Sequence, residues 1–89
     1  MSVHKEISAH SSKQHELVKQ FLMLEAQRES FIDQAVSLCL EGKEFSTDSI
    51  NRVTVQINDL AKQGIIPVRR LVTEQMVMEY ATKLKGNRS

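Results

Sequence analysis

The chain is poor in the residues that interrupt helices and in those that build sheets. Its 89 residues include three glycines, one proline and 4% aromatic residues. A β-sheet protein would need more aromatic and turn-forming residues, so the composition favours an all-α protein. The single cysteine excludes an intrachain disulfide and suits a reducing compartment.

An excess of one charge and a long apolar run are also missing. Twelve basic and eleven acidic side chains give a formal net charge of +1. This balance argues against a nucleic-acid binder held by bulk electrostatics. Residues 1–6 are mainly polar with no apolar run behind them, and no stretch has the length of a membrane span. We therefore predict a cytoplasmic protein without membrane contact.

The residues that could carry metal or catalytic chemistry are scattered. His4, His10 and His15 are six and five residues apart, whereas metal ligands on one helix face need a spacing of about one turn. Cys39 lies far along the chain from these bases, so we expect a buried structural thiol. No phosphate-binding loop or pair of carboxylates stands out. We expect no enzyme, no metal, no cofactor and no small-molecule substrate.

An apolar stripe with heptad spacing dominates the first half of the chain. Its positions recur in steps of four and three residues, and only an α-helix places such positions on one face. Neither glycine nor proline occurs before Gly42, so we predict one helix over about residues 3–41 with Gly42 as its left-handed C′ residue. The stripe consists of Val3, Ile7, His10, Gln14, Leu17, Phe21, Leu24, Arg28, Phe31, Ala35 and Leu38.

This stripe is broad after residue 17 and narrow before it. Flanking residues such as Ile32 and Val36 widen its C-terminal part into the face of a globular core. The N-terminal part lacks such flanks, so it either binds a partner from outside the chain or frays. Residues 21–24 are all apolar and cannot all face one neighbour. We predict a coiled-coil homodimer, or a contact with another protein, through Val3, Ile7, Leu17, Phe21, Leu22 and Met23.

The second helix has recognisable signals at both ends. Ser46 is a candidate N-cap, and Phe45 before it has the position of a hydrophobic staple. These signals predict a helix over residues 47–63. Gly64 suits the C′ position, and Ile65 is expected to close back on the helix as in a Schellman motif.

The third helix has the same kind of start. Thr73 is a candidate N-cap with Val72 before it, which predicts a helix over residues 74–85. Gly86 is expected to end this helix. Tyr80 falls within the predicted apolar face, so we expect it to pack in the core.

Together these patterns predict one all-α domain. A long heptad-patterned N-terminal helix occupies residues 1–42, and a two-helix cap, residues 43–89, packs back on the C-terminal half of this helix. Residues 67–71 could form a short turn or run extended. The function that this architecture favours is a non-catalytic protein–protein interaction module.

Two adjacent arginines support an alternative function. Arg69 and Arg70 follow a turn and precede the third helix, an order that resembles helix-turn-helix DNA recognition. The connector is longer than the usual turn, and no aromatic residue stands among the arginines to stack bases. A small nucleic-acid-binding regulator using Arg69, Arg70 and the third helix is therefore the less favoured hypothesis. The simpler interpretation is solvated arginines, or ion pairs with acidic residues of the first helix.

Several short phrases in the chain resemble a known family. They are Ser2-Val3-His4-Lys5, Phe45-Ser46-Thr47-Asp48-Ser49-Ile50-Asn51, Ala61-Lys62-Gln63-Gly64-Ile65-Ile66-Pro67 and Val72-Thr73-Glu74-Gln75-Met76-Val77. With these phrases the chain resembles the YpbS-like family of small uncharacterised proteins from Bacillus-type bacteria. The resemblance implies a cytoplasmic bacterial protein and transfers no catalytic, cofactor or binding residue.

Overall fold

Three helices make up the fold. The computed structural model describes the backbone of residues 2–87 and the side chains of residues 13–86. Its helices are α1 (Ser2–Leu40), α2 (Asp48–Ala61) and α3 (Glu74–Asn87), and no strand occurs within residues 2–87. Because α1 packs against both α2 and α3, the predicted all-α fold is confirmed. The predicted helix limits agree with these bounds to within two residues.

The end of α1 follows its sequence signal. Gly42 has a φ of 75°, a left-handed conformation that glycine adopts without strain. Its N–H donates to the carbonyl of Cys39 at 3.1 Å, and the N–H of Lys43 donates to the carbonyl of Leu38 at 2.9 Å. These two bonds form a Schellman motif, which satisfies carbonyl groups that the helix end leaves open. The predicted C′ role of Gly42 is confirmed.

The start of α2 lies one residue after the predicted cap. The N-cap is Thr47, whose side chain makes no capping hydrogen bond, so the prediction of Ser46 as N-cap is wrong by one residue. Ser46 Oγ instead accepts the N–H of Asp48, the first residue of the helix, at 3.1 Å. Phe45 and Ile50 belong to the same apolar cluster, which is the contact that a hydrophobic staple makes. Local chemistry therefore determines where α2 begins.

The end of α2 differs from the expected Schellman closure. The N–H groups of Lys62, Gln63 and Gly64 donate to carbonyls three residues earlier at 3.3, 3.0 and 3.1 Å, and Gly64 has a φ of 118°. Ile65 is 48% exposed, whereas Ile66 is 5% exposed and packs against the helix. The prediction for Ile65 is wrong, because the tightened last turn brings the chain into the core one residue later.

The third helix begins as predicted and ends later. Thr73 Oγ1 accepts the N–H of Met76 at 3.2 Å, and Val72 and Val77 are buried in one cluster. These contacts confirm the cap and the staple. The prediction that Gly86 ends the helix is wrong, because α3 continues past it. Glycine terminates a helix when it takes a positive φ, and Gly86 does not.

The core consists of two apolar clusters arranged along α1. Ile50 lies in the first cluster and Ile57 in the second, so α2 runs antiparallel to α1. The buried residues are Ala35, Val36, Ile50, Val72, Val77 and Ala81 in the first cluster and Val53, Ile57 and Ile66 in the second. Because Leu17 packs against the second cluster, the cap covers more of α1 than its C-terminal half.

One aromatic residue lies outside this core. Tyr80 is 52% exposed, whereas Val77 and Ala81 are 2% and 4% exposed. Successive helical residues point about 100° apart, so Tyr80 falls at the edge of a face centred on its buried neighbours. The expectation that Tyr80 packs in the core is wrong.

Candidate interaction surface

Residues 65–73, here called the strap, connect α2 to α3 without helix or strand. Burial along the strap repeats every third residue: Ile66 and Val72 are buried, and Arg69 is half-buried. The remaining strap residues are exposed, and they include three large apolar side chains, Ile65 (48%), Val68 (70%) and Leu71 (50%). A polyproline-type chain has about three residues per turn, so the strap has one inner side and one outer side. The open question about residues 67–71 is thereby answered in favour of extended chain.

Two asparagines of α2 hold the strap by its backbone. Asn58 Oδ1 accepts the N–H of Arg69 at 2.7 Å, and Asn58 Nδ2 donates to the carbonyl of Arg69 at 3.0 Å. Asn51 makes the same two bonds to Val72, at 2.7 and 2.8 Å. Each side-chain amide therefore satisfies both backbone groups of one residue, as a neighbouring strand would. These bonds fix the position of the strap along α2 through its backbone, without contacting its side chains.

The spacing of the two asparagines matches that of the residues they bind. Asn51 and Asn58 are seven residues apart in α2, which is about 10.5 Å along a helix. Arg69 and Val72 are three residues apart, which is about 9 Å in a polyproline-type chain. The strap runs antiparallel to α2, because the earlier asparagine binds the later strap residue.

The side chain of Arg69 is held by α1. Its Nε lies 3.2 and 3.1 Å from Oε1 and Oε2 of Glu25, and its guanidinium carbon lies 5.4 Å from the ring centre of Phe21. The Arg69 and Glu25 side chains are 35% and 24% exposed, so solvent screens this pair only in part. Arg69, a candidate for nucleic-acid contact, thus pairs with an acid of the first helix, whereas Arg70 is exposed.

The hydrogen bonds of Arg28 explain why this basic residue occupies a position in the apolar stripe of α1. Its Nε donates to Thr54 Oγ1 at 2.9 Å, and its Nη2 donates to the carbonyl of Arg70 at 3.0 Å. Thr54 is 0% exposed and donates to the carbonyl of Ile50 at 2.8 Å. The buried Thr54 hydroxyl therefore both accepts and donates a hydrogen bond. Through these bonds, Arg28 links α1 to Thr54 of α2 and to Arg70 of the strap.

Of the six residues predicted for a partner interface, two pack in the core of the chain and two have side chains outside the described residues. Leu17 and Phe21 are partly buried and pack against the second cluster, inside the chain's own core. Val3 and Ile7 lie outside the residues whose side chains the structure describes. The stripe of α1 is therefore used for intramolecular packing from Leu17 onward.

Leu22 and Met23, the other two predicted residues, are exposed. They are 59% and 60% accessible to solvent. Val18 lies one turn before Leu22 on the same side of α1 and is 38% exposed. The structure thus leaves a continuous apolar strip on α1 next to the face that the cap covers.

Met23 also lines a shallow groove between α1 and α2. The groove has a volume of about 400 Å³. The other lining residues are Gln20, Leu24, Gln27, Gln56, Asp59 and Leu60. An apolar floor with a mainly uncharged amide rim suits the face of another protein segment better than a charged small molecule.

Of the residues considered for redox or metal chemistry, the structure describes the side chains of Cys39 and His15. Cys39 is half-buried and packs against the first cluster, so it is less buried than predicted. His15 is exposed, and the side chains of His4 and His10 lie outside the described residues. Within the part of the chain that the structure describes, no group of three His, Cys, Asp or Glu residues could hold a metal ion. No helix in this part has the length and apolar character to cross a bilayer.

Sequence reasoning missed the polar residues that position the strap. Asn51, Thr54 and Asn58 recur at helical spacing and form a polar line beside the apolar face of α2. Their bonding partners, Arg28 and the strap, are far away in the sequence. The regular spacing of the polar line is a signal that could have identified the docking face.

The chain belongs to a bacterial protein family. The family described as "Protein of unknown function (DUF2533)" matches residues 1–83. The uncharacterised protein YpbS of Bacillus subtilis (strain 168) is 54% identical to this chain over 82 residues, which cover 92% of this chain and 96% of that protein. The resemblance to the YpbS-like family is thereby confirmed. No solved structure matches the chain.

Proposed function

We propose that this chain is a non-catalytic interaction module of the cytoplasm that forms a homodimer through α1. The observation that carries the proposal is the exposure of Leu22 and Met23, at 59% and 60%, beside the part of the stripe, residues 17–35, that packs within the chain. Adjacent large apolar side chains left in water favour association, because burial removes their surface from solvent.

The charge distribution supports a second copy as the partner. Residues 1–30 contain four basic and four acidic residues, so two copies of this part of α1 meet without net repulsion. The heptad stripe continues toward the N-terminus through Ile7 and Val3, which extends the proposed coiled-coil contact beyond Leu22. Leu17 and Phe21 pack against the second cluster and so hold this part of α1 against the cap.

The pairing of Arg69 with Glu25 favours the interaction module over the nucleic-acid alternative. This ion pair, together with the Phe21 ring, occupies one of the two arginines that a nucleic-acid site would use. Only Arg70 of the two is exposed. A single free arginine beside a chain of nearly balanced charge supplies little attraction for phosphates.

Light scattering across a concentration series tests the homodimer. We expect Leu22→Asp with Met23→Asp to shift the protein to the monomer mass while its helical circular dichroism is retained, because the charges replace exposed apolar side chains. The matched control is Val55→Asp, since Val55 is 51% exposed on the outer face of α2. A wild-type monomer at all concentrations, or equal masses for the double variant and wild type, would overturn the proposal.

A further inference from the structure

The polar and ring contacts that hold Arg69 and Val72 of the strap in its groove are made by α1 and α2. Asn51 and Asn58 of α2 bind the strap backbone, and Glu25 and Phe21 of α1 hold Arg69. None of these contacts depends on strap and groove belonging to the same chain. The strap of a second copy has the same sequence and therefore fits the same groove.

One glycine determines the direction of the chain between α2 and the strap. Residues 62–65 around it are here called the hinge. Lys62 has helical angles, φ −62° and ψ −18°, whereas Gly64 has a φ of 118°. A helical φ at Gly64 would continue α2 and direct the strap away from its own groove. A Cβ at Gly64 would meet no heavy atom within 4 Å, so a side chain at this position would be disfavoured by the positive φ and not by a steric clash.

This hinge lies beside the part of α1 proposed for self-association. Gln63 and Ile65 line a cavity of about 390 Å³ together with Lys13, Gln14 and Leu17 of α1. A second copy bound along the N-terminal part of α1 is therefore adjacent to the point where the strap begins.

We propose that two copies exchange straps, so that the strap and α3 of each copy dock on the α1 and α2 of the other. Exchange keeps the contacts of the strap and α3 with the rest of the fold, because the same residues meet in both forms. The closed and exchanged forms then differ at the hinge, residues 62–65, and in the contact between the two α1 helices. The exchange presupposes the proposed self-association and identifies the partner's segment that fills the groove.

Two glycine variants test the hinge. Gly64 and Gly42 both have positive φ, 118° and 75°, and both have open space around a built Cβ. Alanine therefore strains both turns, but only Gly64 joins groove and strap. We expect Gly64→Ala to lower the dimer dissociation constant about tenfold, because alanine favours the helical hinge of the exchanged form. We expect Gly42→Ala to leave this constant unchanged in light scattering.

A mixing experiment tests the exchange with a second readout. One chain carries Asn51→Ala and Asn58→Ala, which damage the groove, and the other carries Arg69→Pro, which removes the N–H that Asn58 accepts and the ion pair with Glu25. After refolding from an equimolar mixture, exchange gives a heterodimer with one intact groove and strap. We expect a urea-unfolding transition at higher concentration than either chain shows alone.

The outcomes separate exchange from self-association. Equal dissociation constants for the two glycine variants overturn strap exchange and leave the homodimer in place. An unfolding curve of the mixture that equals the sum of the curves of its two components also overturns strap exchange and leaves the homodimer in place. A wild-type chain that is monomeric at every concentration overturns both proposals.

Discussion

At the scale of single residues, the strap depends on two amides, because an extended chain cannot satisfy its own backbone groups. Asn58 bonds the N–H and the carbonyl of Arg69 at 2.7 and 3.0 Å. We expect Asn58→Ala to lower the free energy of unfolding by about 1–3 kcal/mol, since both groups then lose their partner in a partly buried position. Urea unfolding followed by circular dichroism measures this change.

Gln56 offers a matched control on the same helix, because its amide is exposed. Gln56→Ala should change the free energy of unfolding by no more than about 0.5 kcal/mol, as exposed substitutions usually do. Equal stabilities of the two alanine variants would show that Asn58 does not clamp the strap. The pair therefore separates the loss of two specific bonds from the general effect of removing an amide from α2.

At the scale of elements, the helices follow from local signals. Thr73 and Gly42 act within one or two turns of their own positions, so the sequence suffices to place these two helix ends. The N-cap of α2 is Thr47 rather than the predicted Ser46, a difference of one residue. Gly86 shows the limit of this reasoning, because its φ depends on the context of the helix rather than on residue type.

The strap illustrates what local reasoning cannot reach. Its order comes from Asn58 and Asn51, which are 11 and 21 residues away from the strap residues they bind. The same limit applies to the candidate surface. Four consecutive apolar residues predict that some must face away from the core, but only the position of α2 separates exposed Leu22 from half-buried Phe21.

The pair of adjacent arginines in the strap gives a prediction about nucleic acid. Because Arg69 is paired with Glu25, we expect only weak binding at low salt, equal in wild type and in the Arg69→Ala, Arg70→Ala double variant. A gel-shift titration at low and near-physiological salt measures it. Micromolar binding that persists at physiological salt and disappears in the double variant would instead support the nucleic-acid alternative. Arg70→Ala alone serves as the control, since it leaves the ion pair intact.

At the scale of the whole molecule, stability and association are assigned to neighbouring residues of one helix. Phe21 packs against the second cluster, where α1, α2 and the strap meet, whereas Leu22 is 59% exposed. A small domain has a total stability of only about 5–15 kcal/mol. An unpaired charge in one of its two clusters therefore removes a large share of that stability, and the same charge on the outer surface does not.

We consequently expect Phe21→Asp to change the stability of the chain and Leu22→Asp to change its association. Phe21→Asp should lower the free energy of unfolding by several kcal/mol, because it places a carboxylate against the apolar cluster and removes the ring beside Arg69. Leu22→Asp should leave the unfolding midpoint nearly unchanged and weaken the dimer. Thermal circular dichroism at low concentration, where monomers dominate, separates stability from mass action. If Phe21→Asp were as stable as wild type there, the ring would belong to the surface between copies rather than to the core of one chain.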